Sequence, residues 1–258
     1  MSVSSSWFVG AVTLDAAVTI VVDTVNDAVI AAGTYYLYDD TDALSLLDVI
    51  LAAVAPFMTD EAIYIGQDRK IRVTASVAFA WTTIPSELQA ILGLGASFTS
   101  TTSETASAVS TLLWSPAYCA TPVGHPAGVS GYSERQRVVT ESPSGLTIRT
   151  TTNGTAKTRT KLLVHYVIRE RAWADGVDGG SPGDLRRFWV DVLEVGARWK
   201  HYPEVTEDDA VATAVSWTTP FGPYKSTQLR PDWWSRPISA TDAFSDVELA
   251  GTLTAEIT

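Results

Sequence analysis

Leu146-Thr-Ile-Arg-Thr-Thr-Thr152, Asn153-Gly154 and Thr158-Arg-Thr-Lys-Leu-Leu-Val-His-Tyr-Val-Ile-Arg-Glu170 decide the fold. Both arms are rich in β-branched and aromatic residues and alternate in polarity, the period of a half-buried strand. Asn-Gly between them tolerates the positive φ angles of a tight hairpin turn. Upstream, residues 132–141 read as a third strand, set off by Ser142-Pro-Ser-Gly145. The pattern predicts an antiparallel sheet. Downstream, Asp175–Gly180 is a glycine-rich loop leading into Ser181-Pro-Gly-Asp184. Ser181 suits an N-cap, Pro182 the first helical position, and Asp184 completes a capping box. The helix predicted over 184–195 buries Leu185, Phe188, Val192 and either Trp189 or Leu193, and stops at Gly196. Residues 198–202 and 244–257 read as further strands.

Towards the N-terminus, residues 7–38 read as extended chain, with Val18, Ile20 and Val22 in alternation and Gly33-Thr-Tyr-Tyr-Leu-Tyr38 rich in strand formers. A helix is expected next, capped by Thr41 or Asp42. Leu44, Leu47, Ile50, Leu51 and Val54 recur at helical spacing, and Pro56 ends it. Strands at 62–65 and 70–80 flank the tight turn Gly66-Gln-Asp-Arg69, and Pro85 opens a short helix at 86–92 that Gly93 closes. From 96 to 110 the composition collapses to Ser, Thr and Ala, which reads as an exposed arm or linker. Trp114-Ser-Pro116 and the Pro/Gly-rich stretch 122–131 place a boundary near 125. The expected architecture is mainly β (α+β). An antiparallel β-sandwich or split barrel with one packed helix, residues 126–258, follows a smaller α+β segment, residues 1–125.

A chain of 258 residues is long enough to bury a core without staples. Apolar residues make up 46% and charged residues 18%, a globular balance with fewer charges than an ordinary soluble surface carries, so partners are expected to cover part of it. The net charge of −11 argues against gripping nucleic acid from outside, because that needs Lys and Arg to neutralise phosphates. The charge is uneven: residues 1–129 hold 3 bases against 12 acids, and residues 130–258 hold 15 against 17. Cys119 is the lone cysteine, so no intrachain disulfide forms. No stretch has the apolar length of a membrane-spanning helix, and residues 1–7 lack the basic start of a signal peptide, so cytosolic synthesis is expected.

His125, His165 and His201 show no zinc spacing. No Gly-x-Ser-x-Gly elbow and no phosphate loop occurs. Asp175 and Asp178 lack the further ligands of a calcium loop. Glu207-Asp-Asp209 and Asp39-Asp40 read as solvated turn carboxylates. No catalytic residue, cofactor or metal is assigned, and the chain is not expected to be an enzyme. The unusual feature is nine Trp. Trp114 and Tyr118 beside Pro116, and Trp233 and Trp234 between Pro231 and Pro237, are the candidate interface residues, because loop aromatics beside proline are frequent at protein interfaces and on sugar platforms.

Gly131-Tyr-Ser-Glu-Arg-Gln-Arg137, the strand from Thr158, the helix containing Leu-Arg-Arg-Phe-Trp189, the exit Gly196-Ala-Arg-Trp-Lys-His-Tyr-Pro203 and a closing strand at 247–257 together resemble the distal and minor tail proteins of long-tailed bacteriophages. The N-terminal run Gly33-Thr-Tyr-Tyr-Leu, the Ser-Leu-Leu helix, Ile-Arg-Val, Leu-Gly-Leu-Gly and Trp-x-Pro is similar to a module recurring in phage virion proteins. The resemblance implies a structural virion protein of the tail tip, baseplate or tail tube. It would form a homo-oligomeric, six-fold ring that contacts other tail proteins while DNA passes through its channel, and it would assemble in the host cytoplasm. An acidic channel wall is expected, since bases there would hold the phosphates. Two other readings stand beside it: a carbohydrate-binding module stacking sugars on Trp233 and Trp234, and a β-rich hydrolase.

Overall fold

A long kinked ribbon organises the molecule, which is seen in a computed structural model that describes residues 5–114, 129–135, 140–141, 147–148, 158–168, 187–207, 214–226 and 249–257. Strands β1 (Ser5–Leu14) and β2 (Val18–Val22) form its outgoing arm, and β3 (Asn26–Ile30) and β4 (Gly33–Tyr36) its return. Leu14 pairs with Gly33 and Val18 with Ile30, so three residues on one arm oppose two on the other. Such a mismatch bends a ribbon, and here it carries the chain from one sheet into a second. Asp23 and Thr24 turn the tip at φ 50° and 70°, the left-handed geometry of a tight hairpin turn.

The second sheet has five strands. β6 (Ile71–Thr83) is its spine, with β2 and β5 (Ala62–Ile65) along one side and β7 (Phe98–Thr105) along the other. β3 lies outside β2, so β3 and β7 are opposite edges. Helix α1 (Leu46–Val54) buries Leu46, Leu47, Ile50 and Val54. Its cap is Ser45, whose Oγ accepts the Asp48 amide at 3.3 Å, in place of the expected Thr41 or Asp42. Those two residues sit instead at the start of a separate turn, Asp42–Leu44, after the Asp39 carboxylate has taken the Thr41 amide at 2.9 Å. Helix α2 (Ser86–Leu92) follows Pro85 and closes on left-handed Gly93, as its sequence implies.

The first sheet has nine strands. It runs β4, β1, β13 (Arg198–Glu207), β15 (Phe221–Ser226), β16 (Leu249–Ile257), β12 (Thr158–Ile168) and β9 (Val129–Arg135), with β8 (Leu113–Trp114) on β1 and β14 (Val215–Trp217) on β13. Strands β10 (Thr140–Glu141) and β11 (Thr147–Ile148) pair with each other. All these strand pairings are antiparallel, and the protein is mainly β with few helices. The hairpin turn at Asn153-Gly154 and the cap at Ser181 lie outside the described residues.

Two expectations are corrected. The boundary near 125 does not separate two folding units, because β1 pairs with β13 through Trp7↔Tyr202, Phe8↔His201 and Val9↔Lys200. The Ser/Thr run is no free arm: its central part is β7, zipped to β6 from Arg72↔Thr105 to Trp81↔Phe98. Thr is β-branched and suits a pleated strand. Phe98 anchors one end against Phe79 and Trp81, with ring centroids 5.5 and 5.3 Å apart. Further along, Ala106 and Ser110 are buried, and the Ser110 hydroxyl accepts the Leu112 amide at 3.1 Å. An edge strand needs one hydrogen-bonding neighbour, so a polar outer row does not prevent it from forming.

The helix predicted over 184–195 appears from Arg187 and winds as a π-helix over Trp189–Glu194. At its end the Ala197 amide donates to the Val192 carbonyl, five residues back, at 2.9 Å, and left-handed Gly196 stops it as expected. The wider turn lets Phe188, Trp189, Val192 and Leu193 all face inward. The helix lies against β1 at Gly10, where a Cβ would stand 2.4 Å from Val192 Cγ2. Only a residue without a side chain allows that approach. Around this contact Trp7, Phe8, Trp114, Trp189, Trp199 and Tyr202 are fully buried in one apolar core that also includes Ile50 of α1 and Ile20, Val73 and Trp81 of the other sheet.

Candidate assembly surface

Of the four aromatics selected from sequence, Trp114 is described, and it is a core residue. It is 1% exposed, pairs with Phe8 across β1 and β8, stacks on that ring at 5.1 Å and lies 6.1 Å from Phe188. Its reading as an interface residue is therefore corrected. The prolines nearby suggested a loop, but the short β8 ladder drives the indole beneath the π-helix. Tyr118, Trp233 and Trp234 lie outside the described residues, as do His125 and the Asp175–Asp178 loop.

The half-exposed aromatics are others. Trp217 on β14 stacks on Tyr38 at 4.3 Å and 14° and meets Tyr202 and Trp7 edge-on at 4.8 and 5.2 Å. Sequence reasoning passed over Trp217 because strands β14 and β15 are short and carry no clear alternation. Burial pushes the Tyr38 hydroxyl above its ordinary range, and the carboxylates of Asp48, Asp40, Asp39 and Asp42 add to the effect. His201 sits under the sheet, stacked on Phe8 at 4.8 Å, and burial pushes its pKa down to about 4. At neutral pH it is an uncharged aromatic of the core.

Beside this cluster β13 contributes the partly buried cation Lys200. Lys200 Nζ lies 2.5 Å from Asp39 Oδ2 and 3.7 Å from Asp40 Oδ1. The Asp39 side chain is wholly buried and that of Lys200 is 14% exposed. The Lys200 ammonium also stands over the Tyr36 ring, 4.9 Å from its centroid. The Asp39-Asp40 pair thus falls outside the reading of both as solvated turn carboxylates: Asp39 is buried and only Asp40 faces solvent. Asp40 is held below the usual carboxylate range, first by its side-chain hydrogen bond with Asp39 and also by Lys200.

Among the described residues, β3 and β7 form opposite edges of the five-stranded sheet. Edge strands commonly carry Lys, Pro or a covering segment that prevents pairing with another chain. β3 reads Asn-Asp-Ala-Val-Ile and β7 reads Phe-Thr-Ser-Thr-Thr-Ser-Glu-Thr, with neither Lys nor Pro in either. Val29 on β3 is 57% exposed, and Val25 at the ribbon tip is 78% exposed. Among the described residues no group of three or more His, Cys, Asp or Glu is placed to hold a metal ion, and no helix is long and apolar enough to cross a membrane. Compared with known protein families, curated proteins and solved structures, the chain matches none.

Proposed function

We propose that this chain is a structural subunit of a tailed-phage particle, a tail-tip, distal tail or tube-like component that closes into a ring around the DNA channel. The observation that carries the reading is the pair of edges β3 and β7, on opposite sides of one sheet among the described residues and without Lys or Pro in either strand. Each edge presents a row of backbone N–H and C=O groups, so β3 of one copy has a matching partner in β7 of the next. Contact through two different patches is head-to-tail, and it generates a closed ring when the rotation per copy divides a full turn. Exposed Val25 and Val29 give that contact apolar area.

Two further observations support the reading. The antiparallel sheet spanned by a helix that ends in glycine is the arrangement implied by the resemblance to tail proteins. The acidic excess of residues 1–129 belongs to the segment that contains both edges, and a closed ring multiplies that bias into a band of negative charge that lets DNA slide. A six-fold ring with acids on its channel wall is the specific form proposed. The sugar-binding reading rested on Trp233 and Trp234, and no described residue adds to it. Light scattering over a wide concentration range tests the proposal. A discrete oligomer of fixed mass is expected, and a monomer at every concentration contradicts it.

A further inference from the structure

We propose that Lys200 and Asp39 join covalently, forming an isopeptide bond between the Lys200 Nζ and the Asp39 Cγ within the folded chain, with Asp40 relaying the protons. This inference does not depend on the assembly role.

The geometry brings together the three groups that such a reaction needs. An amine lies 2.5 Å from an oxygen of the carboxyl it would attack, and a second carboxylate, Asp40, lies 3.7 Å from the same nitrogen. The reactants come from distant parts of the chain. Lys200 is fixed on β13 by its pairing with Val9, and Asp39 follows β4, where the Leu37 amide donates to the Gly10 carbonyl at 3.1 Å. Asp39 is further locked by accepting the Thr41 amide through its other oxygen at 2.9 Å, which leaves Oδ2 facing the amine. Holding two reactants in this way raises their effective concentration to the order of 10⁵–10⁸ M.

The surroundings favour the product. Asp39 is wholly buried and the Lys200 ammonium stands over the Tyr36 ring, so the carboxyl carbon that would form the amide is shielded from bulk water. A buried ion pair carries the desolvation cost of two charges. Amide formation removes both charges and releases one water to bulk solvent.

The step balances without any added reagent. The Lys200 ammonium gives one proton to the Asp40 carboxylate, and the freed amine attacks Asp39 Cγ, forming the C–N bond. Asp40 then passes that proton to an oxygen of the tetrahedral centre. The nitrogen loses a second proton by the same route, and the C–O bond breaks. An ammonium and a carboxylate become an amide and one water, with no change in net charge and no oxidation.

Intact-mass measurement of the purified full chain after denaturation tests this. The expected result is a mass about 18 Da below that of the sequence, one water, with tandem spectra of a protease digest showing a branched peptide that joins Asp39 to Lys200. Lys200→Arg is expected to restore the full sequence mass and Asp40→Ala to abolish most of the cross-link. Asp39→Asn is expected to lose about 17 Da, because ammonia then leaves instead of water. Wild-type protein at the full sequence mass overturns the proposal and leaves an ordinary buried ion pair. So does a water loss located elsewhere, such as a cyclised aspartyl residue. A cross-link that forms as fully in Asp40→Ala as in wild type overturns the relay role of Asp40.

Discussion

Replacing Trp114 by alanine separates a core residue from an interface residue. The indole is 1% exposed, stacked on Phe8 at 5.1 Å and close to Phe188 at 6.1 Å, so its removal leaves a void between β1 and the π-helix. Truncating a buried tryptophan costs about 3–5 kcal/mol, the sum of lost transfer energy and the unfilled cavity. For a chain of this size about 1 kcal/mol moves Tm by roughly 2–4 °C, so Trp114→Ala is expected to lower Tm by about 6–20 °C. Differential scanning calorimetry measures the shift. Urea unfolding is expected to show a lower midpoint with an unchanged slope, since the surface exposed on unfolding stays nearly the same. A variant with unaltered Tm that no longer oligomerises would refute the core assignment and return Trp114 to an interface.

Three more perturbations follow from the geometry. Gly10→Ala puts a Cβ 2.4 Å from Val192 Cγ2 and is expected to cost about 1–3 kcal/mol by overpacking; adding Val192→Ala should recover part of that loss in a double-mutant cycle read by urea unfolding. His201 has its folded pKa lowered to about 4 by burial, whereas the unfolded chain titrates near the ordinary value of about 6.5. Between those two values the unfolded chain binds more protons, so stability falls as pH drops from about 6.5 to about 4, by up to about 3 kcal/mol. His201→Phe is expected to flatten that slope in pH-dependent thermal melts, and an unchanged slope would assign it to other groups. Val29→Lys combined with Val25→Lys alters exposed positions and is expected to move stability by less than about 0.5 kcal/mol, while a sedimentation profile shows the oligomer shifted to monomer.

How far the sequence could be read depended on whether the signal was local. The strands at 62–65, the helix at 86–92 with its Pro85 start and Gly93 stop, and the Gly196 exit were legible because period, caps and breakers act within a few residues. The Ser/Thr run was misread because its order comes from β6, a partner that residue composition does not name. The boundary near 125 failed for a related reason: Pro and Gly mark a loop, but nothing local reveals that β1 pairs with a strand nearly two hundred residues later. Trp114 illustrates the same limit at a single side chain, where neighbouring prolines pointed outward and the ladder with Phe8 turned it inward. The Lys200–Asp39 contact joins residues 161 positions apart and could be seen only once β4, β1 and β13 were side by side in the nine-stranded sheet.

The most direct test of the assembly account is a density map of the oligomer formed by the purified chain. The account predicts a closed ring in which β3 of each copy runs beside β7 of its neighbour, with the acids of the first segment outnumbering bases on the channel wall. A ring whose copies meet elsewhere while β3 and β7 remain exposed, or a basic channel wall, would contradict it.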